Sequence, residues 1–527
     1  MIVEGHLSPG EPVNRLFPLL ARRHGFAEAD LRGYRVLRRA LDARGRGAPR
    51  VFWRLELTLA PGEGPPRELF GEAAPVGARE SRVARTSRRP VIVGTGPAGT
   101  FAALRLLEAG VAPIVLEQGR PVDERAGDVR LLRARGQLDP YSNVAFGEGG
   151  AGTFSDGKLR TRRNDASIRD VLATFVHHGA RPALLYESHP HVGTDVLVRV
   201  TRSLRAFLLA RDVDLRFGAR VVDLVVQANR VAGVRLADGA EVLADGVLLA
   251  PGNSARPLYA ALIAAGVRAT ARDTAVGFRV EHPREWVDRC QLGPAAVQAG
   301  LGGAEYALAE KVGARGVYSF CMCPGGYVVP SHVEPGSVRV NGMSNSVRRA
   351  LGSNSAVVVT VTPADFVLPG EQRPRGGVLD GVAFQSAYEH LAGTWGGADG
   401  VAPAQRVVDF LAGRDPAPVP ATSYRPAVVA APLHRFYPTA LTAALAGGLR
   451  AFDRRMPGFT GLEAVLIAPE TGTSAPLTLE RGGDGQSTSH PGLFPAGEGA
   501  GHAGGIMSSA LDGLQVAEAW LRGAGLV

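Results

Sequence analysis

A glycine-rich turn follows the apolar residues Val91–Val93 and opens a helical stretch, which is the arrangement that holds a dinucleotide pyrophosphate. Gly94 permits a tight turn, Gly96 leaves room for phosphate against the backbone, and Gly99 allows the helix to pack closely on the strand. The start of that helix offers unpaired N–H groups and a partial positive charge to the phosphates. The spacing therefore predicts a dinucleotide-binding βαβ unit.

An acidic residue stands where a ribose would be recognised. Glu117 follows the apolar residues Ile114–Leu116, 23 residues after Gly94. A carboxylate at the end of the second strand can accept hydrogen bonds from both ribose hydroxyls, and its charge repels a 2′-phosphate. The pairing of Gly94 with Glu117 therefore indicates a dinucleotide that lacks this phosphate.

A second glycine-rich segment, residues 147–158, ends in Lys158. Its glycines leave backbone N–H groups open to a ring system. The Lys158 ammonium can stabilise an anionic cofactor ring or a substrate carboxylate there, or it can stand on the surface, and both interpretations stay open. Lys158 and Lys311 are the only lysines in the chain, which favours a role for the one in this loop.

Cys321 and Cys323 are separated by one residue and precede a Pro-Gly-Gly loop signal. The pair can act in redox chemistry or line a pocket, and the strain of a C-x-C disulfide ring favours the lining role. No further ligands cluster with them, so we expect no metal site. His502 is the preferred acid/base candidate over His189 and His191, because it adjoins the last glycine-rich segment.

Two later segments indicate which dinucleotide binds. Val247–Gly252 is an apolar strand ending in a small-residue turn, and Gly492–Gly499 is a strand followed by Gly497-Glu498. Both resemble strands that contact FAD in flavoproteins of the glutathione-reductase type, with Glu498 in place of Asp. The helix that begins near Ile506 directs a positive dipole end at the flavin, which favours its reduced anion. A simple NAD domain needs no such C-terminal element, so we expect FAD, and the resemblance to known flavoproteins implies that it is bound non-covalently.

The predicted site residues come from all of these segments. The expected cofactor contacts are Gly94, Gly96, Pro97, Ala98, Gly99, Glu117, Gln118, Gly149, Gly150, Lys158, Val221, Ala250, Gly252, Gly497, Glu498, Gly504, Gly505 and Ile506. The expected catalytic residues are His502, Lys158, Cys321 and Cys323.

The elements that must position these residues fall into several parts. Apolar periodicity and turn residues predict helices at 14–23, 100–108, 195–210, 384–391 and 506–521, strands at 51–59, 91–93, 114–116 and 493–496, and a hairpin turn at 237–240. The expected boundaries are 1–60 for a small α+β N-terminal domain, 61–88 for a linker, 89–270 for the first part of the FAD-binding domain, 271–460 for a substrate domain, and 461–527 for the closing part of the FAD-binding domain.

Composition excludes several classes of protein. The net charge of +9 raises nucleic acid as a partner, but the arginines are scattered and the densest stretch, Arg82–Arg89, falls in the linker, so we expect no such partner. Three cysteines give no disulfide framework, the start lacks a signal-peptide pattern, and no run of about 18 apolar residues occurs. We therefore expect a cytoplasmic protein with no membrane segment.

The chain resembles a family of bacterial FAD-dependent dehydrogenases, mostly uncharacterised, that carry a small N-terminal domain before the Rossmann unit. The resemblance spans nearly the whole chain. Its carriers are ALDAR at 40–44, VIVGTGPAG at 91–99, FGEGGAGTFSDGKL at 146–159, HPHVGTD at 189–195, SFCMCPGG at 319–326, NGMSNS at 341–346, APAQRVVDFL at 402–411 and PAGEGAGHAGGI at 495–506. It implies an α/β fold with a glutathione-reductase-type Rossmann FAD domain, an inserted α+β substrate domain and the N-terminal α+β domain.

One position departs from that resemblance. Family members read Glu-Thr-Arg-Thr-Ser-Ser-Pro where this chain has Glu470-Thr471-Gly472-Thr473-Ser474-Ala475-Pro476. An arginine near the flavin has thus become Gly472. Our hypothesis is that an anion-binding or flavin-tuning cation has been lost and the pocket repurposed.

These features together predict an FAD-dependent oxidoreductase, a dehydrogenase or oxidase that transfers a hydride between an organic small-molecule substrate and flavin N5. A flavin monooxygenase uses similar folds, and a cyclase or binding protein with structural FAD is a non-redox alternative. Flavin-dependent RNA modification would require salt-sensitive RNA binding. The substrate, the oligomeric state and the electron donor or acceptor, NAD(P)H included, stay open.

Overall fold

The N-terminal residues form a four-stranded sheet of order β1-β3-β2-β4, covered by a helix. In this computed structural model the described residues are 1–42, 49–61, 64–69, 74–77, 89–294, 297 and 301–527. Alternate residues of the strand at 50–59 point into the core beside Leu16 and Leu20, because the side-chain period of a strand is two. The elements are Ile2–Leu7 (β1), Phe17–His24 (α1), Leu31–Asp42 (β2), Arg50–Leu59 (β3) and Arg67–Glu68 (β4).

Residues of the segment predicted as a linker belong to the N-terminal sheet and to the core of the next unit. The short strand β4 pairs in parallel with β2, which extends the N-terminal sheet. Val76 is buried in the core of the next unit, and its N–H donates to Thr174 Oγ1 at 2.8 Å. The arginine-rich stretch at 82–88 lies outside the described residues.

A five-stranded parallel sheet of order β23-β11-β5-β6-β7 confirms the Rossmann-type α/β fold. A separate antiparallel sheet, β10-β9-β8, follows β7 in the chain. The strands of this region are Val91–Val93 (β5), Ile114–Leu116 (β6), Asp214–Arg216 (β7), Val221–Gln227 (β8), Arg230–Leu236 (β9), Glu241–Leu243 (β10) and Val247–Leu249 (β11). Its helices are Pro97–Glu108 (α2), Val122–Arg135 (α3), Ile168–His177 (α4), Thr194–Leu209 (α5) and Arg256–Ala264 (α6).

A seven-stranded sheet of order β14-β15-β18-β13-β21-β19-β20 forms the other large layer. Its strands are antiparallel except for the pair β19 and β20. Its seven strands are Thr274–Pro283 (β13), Ala309–Val312 (β14), Arg315–Cys323 (β15), Gly352–Val361 (β18), Ala402–Arg406 (β19), Val428–Ala430 (β20) and Val465–Glu470 (β21). The same region also contains Ala269–Ala271 (β12) and a separate two-stranded sheet of Tyr327–Pro330 (β16) and Val340–Met343 (β17). The helices are Arg284–Leu292 (α7), Asp380–Gly396 (α8), Val407–Ala412 (α9) and Thr439–Arg455 (α10).

The chain then returns to the parallel sheet through Leu477–Leu479 (β22), Leu493–Pro495 (β23) and the helix Gly505–Gly523 (α11). β22 pairs with β12, and β21 belongs to the seven-stranded sheet although it follows the expected boundary at 460. α11 crosses α2 closely, since a Cβ added to Gly513 would stand 2.0 Å from the carbonyl oxygen of Ala98.

The helices and strands predicted from periodicity are confirmed, and most of their ends lie within four residues of the predicted ones. The helix predicted at 384–391 is longer and extends over all of α8. Short 3-10 helices occur at Val13–Leu16, Glu28–Asp30, Ala151–Phe154, Pro182–Leu185, Pro363–Asp365 and Leu433–Arg435. No helix in the described part of the chain has both the length and the apolar character that a membrane crossing requires.

Candidate functional site

A cavity of about 760 Å³ lies where the carboxyl ends of the parallel strands face the seven-stranded sheet. Its parallel-sheet side includes Val93 and Leu116, at the ends of β5 and β6, while its other side includes Phe320 of β15 and Asn341 of β17. Ligands of open α/β sheets bind outside the carboxyl ends of the strands. The fold therefore creates a ligand site between the two sheets.

Most of the predicted cofactor contacts line this cavity. Those that do are Gly94, Gly96, Pro97, Ala98, Glu117, Gln118, Gly150, Lys158, Val221, Ala250, Gly252, Gly497, Glu498, Gly504, Gly505 and Ile506. Gly99 is not among the lining residues, and a Cβ there would stand 2.0 Å from the Gly94 carbonyl oxygen, so its role is helix–strand packing. Gly149 is also outside the lining and packs against Thr153 Oγ1.

Glycines line one wall of the cavity, where a ligand can approach the protein backbone closely. A Cβ added to Gly252, Gly504 or Gly505 would meet no atom within 4 Å, so each leaves open space at the cavity wall. A Cβ on Gly150 would stand only 2.9 Å from Gly96 Cα, which places the second glycine-rich loop against the first turn. These open faces beside the start of α2 are a cradle that fits the pyrophosphate and ribityl parts of FAD.

Glu117 is held by the chain itself. Its Oε2 accepts from the N–H and the hydroxyl of Thr95 at 3.0 and 2.6 Å. Its Oε1 accepts from the N–H groups of Gly119 and Gly147 at 3.0 and 3.1 Å. Because a carboxylate offers about four lone-pair sites, a ribose hydroxyl would compete with these donors, and Glu117 also ties together the glycine-rich turn and the loop at 147.

The loop over the cavity is anchored by a buried arginine that the sequence analysis did not single out. Arg125 of α3 is fully buried, and its guanidinium donates four hydrogen bonds of 2.6–3.1 Å to backbone carbonyls. Burial lowers the pKa of Arg125 to about 10. The accepting residues are Asn143, Val144, Gly147 and Glu148. No local pattern marks Arg125, because its partners lie beyond the end of its own helix.

Lys158 lies at the cavity wall, and only a fifth of its side chain is exposed, so the surface-lysine interpretation is wrong. Its ammonium donates to the Met322 carbonyl and pairs with Asp156 at 2.8 Å. Burial alone lowers the pKa of Lys158, but Cys323 and Asp156 raise it above its usual value. Lys158 is therefore a fixed positive charge that joins the second glycine-rich loop to β15.

Cys321 lines the cavity, and Cys323 is fully buried behind it. The Cys323 thiol donates to the Cys321 carbonyl oxygen at 3.3 Å, and Arg279 Nη2 lies 3.6 Å from Cys323 Sγ. The neighbouring Cys323 thiol and the Lys158 ammonium lower the pKa of Cys321, although burial opposes this. The neighbouring Cys321 and burial raise the pKa of Cys323. Cys321 is therefore the more acidic thiol of the pair.

The predicted histidines lie elsewhere. His502 is not among the cavity-lining residues, and its Nε2 is 2.9 Å from the Leu479 carbonyl oxygen. His191 is buried with its Nε2 3.2 Å from the Ser346 carbonyl oxygen, and burial lowers its pKa to about 4. The structure therefore brings Lys158 and Cys321 to the cavity but not these imidazoles.

Another arginine occupies the space beside Gly472. A Cβ at Gly472 would stand 3.3 Å from both Cδ and Nη1 of Arg339, a buried cavity-lining residue. Arg339 Nη2 donates to Ser254 Oγ at 3.2 Å. Asn253 Nδ2 donates to the Gly472 carbonyl at 3.3 Å and to Glu498 at 2.6 Å. The cavity thus holds a guanidinium at this place, from a residue just before β17 that sequence spacing alone does not connect to Gly472.

No group of three His, Cys, Asp or Glu residues that could hold a metal ion occurs within the described ranges. The charged groups at the cavity include the Lys158 ammonium, the Arg339 guanidinium and the carboxylates of Glu470 and Glu498. Burial raises the pKa of both carboxyl groups, and the Cys321 sulfur contributes in the same direction.

Residues 273–473 match the model of a family described as "FAD-dependent protein, C-terminal domain-like". Over 524 residues the chain is 36% identical to an "Uncharacterized protein" of Clostridium beijerinckii, covering 97% of each chain.

Solved structures with partial likeness include native FqzB, at 14% identity, a TM-score of 0.34, and coverage of 84% of this chain and 76% of that one. CtdE in complex with FAD gives 12% identity, a TM-score of 0.30, and coverage of 84% and 91%. A geranylgeranyl bacteriochlorophyll reductase-like protein of Thermoplasma acidophilum gives 12% identity, a TM-score of 0.35, and coverage of 83% and 79%. These likenesses are too distant to indicate a reaction.

Proposed function

Since this chain belongs to a family of FAD-dependent proteins together with its Clostridium beijerinckii relative, we propose that it is an FAD-dependent oxidoreductase, a dehydrogenase or oxidase acting on an organic small molecule. The observation that carries this proposal is that the glycine cradle and the seven-stranded sheet line the same cavity. One side fits the cofactor, and the other presents charged and polar side chains to a substrate.

FAD is the cofactor, and when bound it supplies hydride transfer at N5. The residues that would hold it are the cavity-lining glycines of the turn at 94–96, the loop at 147–150 and the segments at 250–252 and 497–505. Two carboxylates hold these segments in place by accepting backbone hydrogen bonds. Asp512 of α11 accepts from the Gly497 N–H at 2.7 Å, and Glu498 accepts from the Gly505 N–H at 3.1 Å.

The chain's own charges would bind and orient the substrate. Lys158 and Arg339 place two buried cations at the cavity, and Asn341 adds an amide. Fixed donors in a site of low dielectric stabilise developing negative charge more strongly than water does, since they need no reorganisation. We propose that Lys158 performs this role at the flavin or at a substrate anion, and that His502 has a structural role.

An anaerobic panel of alcohols, amines and hydroxy acids tests the proposal. A substrate should bleach the oxidised-flavin absorbance of the holoprotein, with one product molecule formed for each flavin reduced. Product that forms without bleaching, or equally well on protein reduced beforehand with dithionite, would show that FAD is structural. In a separate aerobic reaction under ¹⁸O₂, labelled oxygen in the product would instead identify a monooxygenase.

A further inference from the structure

The cysteine pair of β15 lies at the junction of the two halves of the site. Cys321 reaches the cavity, and Cys323 is buried behind it on the same strand. Lys158, from the glycine-rich loop, donates to the carbonyl of Met322, the residue between the two cysteines. The loop proposed to contact FAD is thus bonded directly to the cysteine segment.

The backbone of β15 is distorted where the cysteines occur. Phe320 pairs with Ala356, but Cys323 pairs with Asn354, so three steps along β15 span two steps along β18. Cys321 also has a φ of 45°, in the left-handed region that β-carbon-bearing residues avoid. Bulges and such backbone conformations concentrate at functional sites, where they redirect a side chain.

The bulge shortens the segment that contains the cysteines. The Cα atoms of residues two apart in a regular strand are about 6.6 Å apart, within the upper limit of about 6.8 Å for a disulfide. The three steps from Phe320 to Cys323 occupy the length of two steps of β18. An irregular, shortened segment is better suited to a C-x-C disulfide than a regular strand is.

From this geometry we propose that Cys321 and Cys323 form a redox-active dithiol–disulfide pair that exchanges electrons with the FAD. This proposal rests on the proposed oxidoreductase function. Cys321 is the cavity-facing sulfur and Cys323 is the buried partner that closes the disulfide. The substrate class that follows is a thiol or disulfide compound, small enough to enter the cavity and exchange at Cys321.

The charges around the pair suit this exchange. The Arg279 guanidinium is fully buried, pairs with Glu470 at 2.9 Å and approaches Cys323 Sγ. Lys158 provides the second cation, on the FAD side. Thiolates are the reactive form of cysteine, and neighbouring cations stabilise them. The reduced pair is therefore poised as one thiolate and one thiol.

The exchange balances in atoms and electrons. In one direction the Cys321 thiolate and the Cys323 thiol form an S–S bond and release one proton and two electrons, which FAD takes up as a two-electron, one-proton acceptor. The disulfide returns to the dithiol when an external thiol compound attacks Cys321 and is itself oxidised to its disulfide. Net, two external thiols become a disulfide while FAD is reduced, and the reverse sequence reduces a disulfide.

Anaerobic dithionite titration of the oxidised holoprotein tests the pair without any substrate. The wild type should take up about twice the reducing equivalents of Cys321→Ser and of Cys323→Ser, because its disulfide adds a second two-electron couple to FAD. It should also develop a long-wavelength thiolate–flavin band that Cys321→Ser lacks, whereas Cys323→Ser, which keeps the cavity-facing Cys321 and cannot form the disulfide, should show this band before any reduction. Cys290→Ser is the matched control, since Cys290 is exposed, and it should behave as the wild type. Equal uptake by all four proteins would overturn the proposal.

A thiol count on the wild type alone avoids dependence on folding of the variants. After oxidation with ferricyanide and denaturation, a thiol reagent should detect only Cys290, and prior reduction with dithiothreitol should restore all three cysteines. Three thiols under both conditions would contradict the pair. Failure of the oxidoreductase proposal is distinguishable, because then no substrate, thiol compounds included, would bleach the flavin anaerobically, whereas failure of the pair alone leaves uptake of one two-electron couple by the flavin and its reduction by substrate intact.

Discussion

Replacing Arg125 by methionine tests how the loop over the cavity is held. Methionine retains much of the apolar volume but removes four hydrogen bonds to the carbonyls at 143, 144, 147 and 148. Hydrogen bonds to a charged donor contribute about 1.5–3 kcal/mol each, and part of that returns when water reaches the carbonyls or when a buried charge is removed. We expect the free energy of unfolding to fall by about 3 kcal/mol.

The loop also contributes Gly147 and Gly150 to the cavity. If the substitution makes the loop less ordered, FAD binding should weaken as well. FAD affinity should fall more than tenfold, which corresponds to about 1.4 kcal/mol. Urea unfolding of the apoprotein and quenching of flavin fluorescence on binding measure the two effects. Arg130→Met, an exposed position of the same helix, is the control. Arg125→Met with the unfolding midpoint and FAD affinity of that control would refute the anchoring role.

Three further predictions concern the charges of the cavity. Lys158→Met should lower the flavin reduction potential and slow turnover, as measured by dye-coupled redox titration, whereas Lys311→Met, at the exposed second lysine, should change neither. The reaction of native Cys321 with iodoacetamide should have its midpoint well below the ordinary value of about 8.5, because the thiol is deprotonated above that midpoint, and a midpoint at or above about 8.5 would contradict the lowered pKa. Gly472→Arg should displace the Arg339 guanidinium and alter turnover or potential, whereas Gly472→Ala should do so less; an enzyme unchanged by Gly472→Arg would exclude this coupling.

Sequence patterns predicted the parts of the site that depend on neighbouring residues. The turn at Gly94–Gly99 works through local backbone freedom, so its glycine spacing is informative by itself. The strands β5, β6 and β23 are short buried apolar runs between turn residues, which is the pattern of a parallel sheet. The same reasoning predicted the inserted unit, although not that β21 completes its sheet.

The features of the site that were not predicted depend on contacts between residues far apart in the sequence. Lys158 contacts Met322, 164 residues away, and the Arg339 guanidinium fills space beside Gly472 although the two residues are far apart in the sequence. His502 was chosen for its neighbours in the chain, but its ring is held at the carbonyl of β22, a strand the sequence analysis did not identify. Glu117 satisfied the spacing rule, yet its oxygens are also engaged by Thr95 and the loop at 147. Such partners follow from the tertiary fold rather than from periodicity.

The position of FAD in the cavity is the central claim, and Gly504→Leu tests it most directly. Gly504 lines the cavity with an extended φ of −153°, and a Cβ there meets open space, so leucine is accommodated by the backbone but fills the cofactor's place. Fluorescence titration of the apoprotein should give one FAD per chain for the wild type and for Gly523→Leu, an exposed control at the far end of α11. Gly504→Leu should bind FAD at least about tenfold more weakly. A wild type that takes up no FAD, or a Gly504→Leu protein that binds it equally tightly, would contradict the account.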